Sequence, residues 1–386
     1  MRVALNLEQL LHRPPGGIGR YSAELARLLP TSGDAGSERV EVLAFVARHH
    51  AVEVEAAMIG FGLEHVDPAR LALPRVVLYD LWNDLGAGDL RHLSRRLRAF
   101  DVVHAPSLAV PPRSGAKLVV TVHDAAPILF PATYTRRGRW FHERGFAAAA
   151  KRADLVIAPT SVAADEVAGC TPIPRDRIEV VPHGVVQREV GDGLVASTRS
   201  TLAVGESPYV LWVGTLEPRK NVGVLVEGFR RMVEREDLPH RLIIVGPRGW
   251  LGAAEALQEP ARALGKRIHF TGPVRADRLL ALFRGADLVA LPSVHEGFGL
   301  PVIEAMSQAT PVMCADIPVL HEVAGDAAVF VDPHDPDAWA KELTVLLRDE
   351  SARRELGEAG RVRASGYTWE RCAERTRELY RRVLDT

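Results

Sequence analysis

Short apolar runs that stop at glycine, proline or a charged residue recur along this chain, separated by stretches of helical period, and they do so in two series. Residues 3–7, 40–46, 101–105, 117–122, 153–158 and 178–181 make the first; residues 209–213, 241–245, 268–270, 288–291, 310–314 and 328–331 make the second. A strand that is apolar on both faces must be covered on both. Alternation with helices therefore predicts a mainly parallel sheet of the doubly wound α/β class. Between the series, residues 186–207 lose apolar periodicity and gain glycine and serine, which marks an interdomain linker. A length of 386 residues also exceeds what one core usually serves. The expected organisation is a first domain over 1–190, a second over 205–365, and a terminal segment over 366–386. Two such domains present their strand carboxyl ends to a cleft, the default ligand site.

Composition narrows the function classes. Hydrophobic content of 47% with 25% charge excludes wholesale disorder, and a net charge of −1 argues against a general nucleic-acid binder. Cys170, Cys314 and Cys372 lie far apart, forming neither a disulfide framework nor a zinc knuckle, which suits a reducing cytosol. No apolar run reaches membrane-spanning length, and residues 1–7 are too short for a signal peptide core. A cytoplasmic location is expected. Two arginine-rich helical stretches, 90–98 and 134–150, read either as solvated faces or as peripheral contacts with an anionic membrane.

The chemistry concentrates at strand ends. The strand 288–291 runs into Ser293-Val294-His295-Glu296-Gly297-Phe298-Gly299-Leu300-Pro301-Val302-Ile303-Glu304-Ala305. Pro301 suits the first turn of a helix, and Gly297 and Gly299 let the backbone turn sharply beside a ligand. The N–H groups and positive dipole end of that helix suit a phosphate, and Glu296 and Glu304 suit sugar hydroxyls. The plain alternative is a strand–turn–helix corner with two solvated glutamates. Arg219 and Lys220 follow the strand 209–213 and would neutralise a diphosphate without a metal ion; the alternative is a solvated pair. His123-Asp124 ends the strand 117–122, as a substrate contact or as a hydrogen-bonded turn. Gly16, Gly17 and Gly19 lie in a loop expected over 12–20, ahead of a helix from Tyr21. They resemble a dinucleotide-binding fingerprint only in part, because Ser22 stands at the third glycine position and Ala47-Arg48-His49-His50 supply no acid after the next strand. Asp335-Pro336-Asp337 formally matches a metal-binding Asp-x-Asp, but its position before a helix favours capping. No His/Cys cluster has metal-ligand spacing, and no metal site is expected.

Taken together, these residues resemble the retaining glycosyltransferases of the GT-B fold, of the family 4 or group 1 type, which include bacterial mannosyltransferases and relatives of sucrose and glycogen synthases. The E-x7-E element is intact as Glu296 and Glu304. The family's diphosphate Arg and Lys match Arg219 and Lys220 within Gly214-Thr215-Leu216-Glu217-Pro218-Arg219-Lys220-Asn221, and its sugar-side histidine matches His123 within Val122-His123-Asp124. Gly16-Gly17-Ile18-Gly19 looks like its N-terminal glycine loop. Tyr367-Thr368-Trp369-Glu370 looks like the point where the last helix crosses back to the first domain.

The resemblance implies two Rossmann-like domains, the first for acceptor and the second for a nucleotide sugar. It also implies a set of roles. Glu304 binds the ribose, and Glu296 binds the donor sugar. Arg219 and Lys220 stabilise the leaving diphosphate. Phe298, Gly299 and Leu300 offer backbone N–H groups; Gly214 and Gly246 line the cleft, and Val274 lies near the base. His123 meets the transferred sugar, with Gly16, Gly17 and Asp124 on the phosphate and acceptor side. Same-face attack, with the leaving phosphate oxygen taking the acceptor proton, would retain configuration. No cofactor or metal is implied. GDP-mannose is the first donor expected, with a glycan, lipid-linked or small-molecule acceptor, as in polysaccharide biosynthesis; oligomeric state is not implied. The alternatives are a GT-B-like phosphorylase or epimerase, and a Rossmann oxidoreductase.

Overall fold

The computed structural model describes residues 1–12, 16–32 and 39–386. By contact density the chain divides into two compact units. The first comprises Met1–Pro131, Arg136–Gly184 and Trp369–Thr386; the second comprises Ala132–Thr135 and Val185–Thr368.

The first unit is built on β1 (Arg2–Asn6), β2 (Glu41–Val46), β3 (Ala69–Arg70), β4 (Val102–Ala105), β5 (Lys117–Thr121), β6 (Leu155–Ala158) and β7 (Ile178–Val180). Their order in the sheet is β3-β2-β1-β4-β5-β6-β7, and neighbouring strands pair in parallel. The second unit carries β8 (Tyr209–Val213), β9 (Arg241–Val245), β10 (Ile268–Gly272), β11 (Leu288–Leu291), β12 (Val312–Ala315) and β13 (Val329–Val331). These run β10-β9-β8-β11-β12-β13, also all parallel. In both sheets the chain first winds outward one way and then returns to wind the other. The reversal falls between β1 and β4 in one sheet and between β8 and β11 in the other. Ligands of doubly wound sheets bind outside the strand carboxyl ends at such a reversal.

The strands are buried because helices cover both faces. Val103, Val120, Phe45, Trp82 and Phe146 belong to the core of the first unit. Val210, Trp212, Phe229, Leu225 and Trp339 belong to that of the second. Each fully buried large side chain of this kind contributes roughly 1.5–3 kcal/mol.

Two local readings differ from the sequence expectation. The helix after β1 spans Gly16–Leu28, so Gly16, Gly17 and Gly19 form its first turn rather than a loop; Arg13, Pro14 and Pro15 lie outside the described residues. Within the stretch read as a linker, Asp192–Thr201 is a helix. Val190, Leu194 and Val195 pack there on Leu280 and Ala281, too few apolar residues to show a period. Apart from the short excursion of Ala132–Thr135, the chain passes between units at 184/185 and 368/369. At these two points it lies beside itself: in the second unit the Val185 amide donates to the Tyr367 carbonyl at 3.1 Å. In the first unit, His183 stacks on Trp369 with ring centroids 5.9 Å apart.

Candidate active site

In the second unit the candidate side chains gather at the reversal between β8 and β11. After β8 a single 3-10 turn, Pro218–Lys220, is followed by Asn221, which sits in the left-handed region with φ 51°. The Asn221 side chain donates to the carbonyls of Pro292 (3.1 Å) and Pro333 (2.6 Å), and the Val294 amide donates to the Arg219 carbonyl at 3.0 Å. The loop after β8 is thereby stitched to the loop after β11. Lys220 Nζ donates to both Glu296 oxygens at 2.6 and 2.8 Å. Arg219 is spread over three acceptors: the His295 carbonyl (2.8 Å), Glu217 (2.8 Å) and, at 3.5 Å, Glu296.

Side-chain exposure is 12% for Arg219, 16% for Lys220 and 6% for Glu296, so these ions are hardly screened by water. Burial pushes the Glu296 carboxyl up, but the Lys220 and Arg219 charges outweigh it and hold the group at about 2, with the Lys220 and Ser293 hydrogen bonds adding to the effect. Glu296 is an anion at neutral pH and a poor proton acceptor. Solvated arginine and lysine, the plain alternative, is not what is found.

Gly299 caps the helix Leu300–Ser307 with φ 85°, a conformation that L side chains rarely adopt. Pro301 is in its first turn, and Glu304, 6% exposed, lies one turn further on. Gly246 has φ 138°, and a Cβ there would lie 1.8 Å from the Gly214 carbonyl oxygen. These two glycines let β8 and β9 end in direct backbone contact. Val274 follows β10, so Gly246, Gly214, Glu296 and Val274 stand on loops after four strands adjacent in one parallel sheet. The arrangement offers two cations, a helix amino terminus and a buried carboxylate at one edge, which together suit a diphosphate and the hydroxyls attached to it.

In the first unit the carboxyl edge is chemically different. His123 follows β5; its Nε2–H donates to the Pro106 carbonyl at 2.9 Å, and its Nδ1 lies 3.2 Å from His183 Nε2. Burial lowers the pKa of His123, against the opposing pulls of the Pro106 carbonyl and Asp124; burial, then the His123 charge, lowers that of His183 well below its ordinary value. Both rings are neutral near pH 7. Asp124 accepts from the Ala126 amide at 3.0 Å, which is the turn-shaping reading, while its charge also reaches His123 and His142. Beneath them, His104 bridges the Tyr380 hydroxyl (2.6 Å) and Thr121 (2.8 Å), and Thr121 pairs with the Tyr21 hydroxyl at 2.9 Å. Nearer β1 and β2, the buried Glu8 accepts from the Ala47 amide (2.8 Å) and faces His49 Nε2 (2.7 Å).

Sequence reading did not single out Glu8, His183, Glu217 or His295. Each follows a strand or ends a turn beside one, the only signal available, and each acquires its partner through the fold. Asp335 accepts from the amides of Asp337 and Ala338, capping the helix Pro336–Arg348, and Asp337 pairs with Arg231 and Arg235. Among the described residues, no helix is long and apolar enough to cross a membrane.

Residues 196–363 match the model for glycosyl transferases group 1, and residues 15–187 match that for glycosyltransferase family 4. The D-inositol 3-phosphate glycosyltransferase of Nocardia farcinica is 31% identical over 421 residues, covering 98% of this chain and 92% of that protein. The chain belongs to the group 1 glycosyltransferases. The O-antigen chain mannosyltransferase B of Escherichia coli is 29% identical over 285 residues, covering 72% of this glycosyltransferase and 74% of that one. Among solved structures, Anabaena HepE in complex with UDP-glucose superposes with a TM-score of 0.75 at 19% identity, covering 98% of this chain and 99% of that one. Sucrose-phosphate synthase from Thermosynechococcus elongatus does so with a TM-score of 0.70 at 19% identity, over 100% and 99%. The glycosyltransferase has the GT-B fold expected from its sequence.

Proposed function

We propose that this glycosyltransferase moves a hexose from a nucleoside diphosphate sugar to a hydroxyl of a glycan, lipid-linked or small-molecule acceptor, with retention of configuration and without a metal ion. The carrying observation is the buried Arg219–Lys220–Glu296 cluster at the strand reversal of the second sheet, beside the amino terminus of Leu300–Ser307. As the glycosidic bond breaks, negative charge grows on the diphosphate, and two fixed cations stabilise it without reorganisation. Glu296 and Glu304 take donor hydroxyls; Phe298, Gly299 and Leu300 present backbone N–H groups; Val274 lies near the base. A Glu296 carboxyl held at about 2 is a poor base, which favours a leaving phosphate oxygen as the acceptor of the incoming hydroxyl's proton.

The acceptor is read onto the carboxyl edge of the first sheet, where the first turn of Gly16–Leu28, His123, Asp124, Glu8 and His49 stand. His123 meets the transferred sugar through its ring edge, or by exchanging its Pro106 bond for a sugar hydroxyl. Mannose from GDP-mannose is the first donor to try, because one relative is named a mannosyltransferase; a neighbour that holds UDP-glucose makes UDP-sugars the second. For a lipid-linked acceptor the reading includes peripheral membrane contact from the cytoplasmic side. Arg136, Arg137 and Arg139 are exposed on one helix with Trp140, 48% exposed, and the Arg144 guanidinium 4.0 Å from the Trp140 ring. Co-sedimentation with anionic liposomes that is unchanged when the three arginines become glutamate would remove that contact.

Calorimetric titration with GDP, UDP, dTDP and ADP, with and without EDTA, tests the central reading. Saturable binding of one nucleotide that survives EDTA and is lost in Lys220→Ala is the expected result. Binding of none, or binding abolished by EDTA, overturns the metal-independent diphosphate site.

A further inference from the structure

The histidine that the proposed function sets beside the transferred sugar is itself held by a second histidine. We infer that His183 is a positioning residue for His123: its Nε2–H donates to His123 Nδ1 and fixes the ring in one orientation. The inference rests on that reading of His123. It follows from which atoms can donate. The Pro106 carbonyl can only accept, so His123 Nε2 carries the hydrogen of the 2.9 Å bond. A neutral imidazole then has a lone pair on Nδ1, and the atom facing it, His183 Nε2 at 3.2 Å, must be the donor. Desolvation lowers the pKa of both rings, in keeping with their neutrality.

His183 is in turn held by rings. Its centroid lies 4.7 Å from that of Tyr21 and 5.9 Å from that of Trp369, the latter pair stacked at 30°. Tyr21 also meets His123 edge-on at 5.2 Å. His183 lies one residue before the crossing at 184/185, and Trp369 immediately follows that at 368/369. The orientation of His123 is thus set by residues at both crossings, 60 and 246 positions away in sequence. An apolar ring at 183 could fill the space but could not satisfy Nδ1. His123 would then lose one of the two bonds that define its plane.

Two variants separate positioning from packing. His183→Leu removes the donor and keeps bulk; His183→Gln restores an amide N–H at similar reach. With 15N-histidine-labelled protein, a scalar coupling across the hydrogen bond between His183 Nε2 and His123 Nδ1 is expected in the wild type. Nucleoside diphosphate release is then followed from whichever of GDP-mannose and UDP-glucose the enzyme turns over. His183→Leu should lower turnover roughly tenfold at unchanged nucleotide affinity, and His183→Gln should recover most of it. A missing coupling, or a Leu variant as fast as wild type while His123→Ala is slow, overturns the proposal. Full turnover in His123→Ala instead removes His123 from the site, a distinct outcome in which the coupling still reports whether the bond exists.

Discussion

The Arg219–Lys220–Glu296 cluster at the carboxyl edge of the second sheet is held together by buried charge, whereas the cluster around His123 at that of the first, apart from Asp124 and from Glu8 near His49, is held by neutral hydrogen bonds and aromatic rings. Arg219, Lys220, Glu217 and Glu296 compensate one another in the second unit. In the first, His123, His183, His104, Thr121, Tyr21 and Tyr380 pass hydrogen bonds among uncharged groups. The two edges occupy equivalent places in two similar sheets, so topology alone does not explain the contrast. A buried ion needs a partner, and a cluster of both signs can admit an anionic ligand by sharing its cations. A neutral network has no surplus charge to share; it discriminates by shape and hydroxyl geometry. The one edge suits a diphosphate, the other the hydroxyl-bearing groups of a sugar and its acceptor.

The contrast is broken most directly at Lys220. Lys220→Ala strips Glu296 of its principal partner and should cost about 3–5 kcal/mol of stability in addition to abolishing nucleotide binding. Calorimetric unfolding and titration would measure both, and an unchanged Kd would show that the charged edge does not meet the nucleotide. At the neutral edge, His123→Ala should slow turnover by about a hundredfold while leaving nucleotide affinity within about twofold. Equal losses in both would erase the division of labour.

Acid should dismantle the two edges in sequence. The neutral histidines have depressed folded pKa values, so the unfolded state binds more protons below 6.5, and stability falls as pH drops from there. Glu296, depressed from 4.5 to about 2, contributes fully above 4.5 and loses its contribution as pH falls toward 2, a ceiling on the order of 3 kcal/mol. The stability gap between wild type and Glu296→Gln should therefore hold steady from pH 7 to 5 and close below 4.5. A gap that stays constant from pH 7 down to 3 would assign the carboxylate an ordinary environment. The smallest effect is expected at Tyr380→Phe, where loss of the neutral bond to His104 should cost about 1–2 kcal/mol, read by urea unfolding.

Most of the strands were legible because a parallel strand covered on both faces is written as an unbroken apolar run. Val210, Leu211 and Trp212 leave no other reading. The glycine turn was not, because Gly16-Gly17 punctuates a sequence whether or not a helix follows it; here it opens one. Glu296 and Glu304 could be found from their spacing around a helix start, and Arg219 and Lys220 from their place after a strand. Their mutual pairing could not, since 76 residues separate Lys220 from Glu296. Glu217, His183 and His295 were hidden for the same reason: their partners are set by sheet order, which no local pattern encodes.

The paired crossings have a consequence for how this molecule is made. Residues 185–368 lie within one unit and, but for the four-residue segment 132–135, supply all of it; the other unit is left open until its final segment arrives. The helix Trp369–Leu384 fills that place, burying Tyr380 against His104 and tying Arg377 to the Leu28 carbonyl at 2.7 Å. During synthesis from the amino terminus, the unit begun first is therefore completed last. Until residue 384 has left the ribosome, the seven-stranded sheet carries an uncovered groove, and an amber codon at position 369 would leave it so for good.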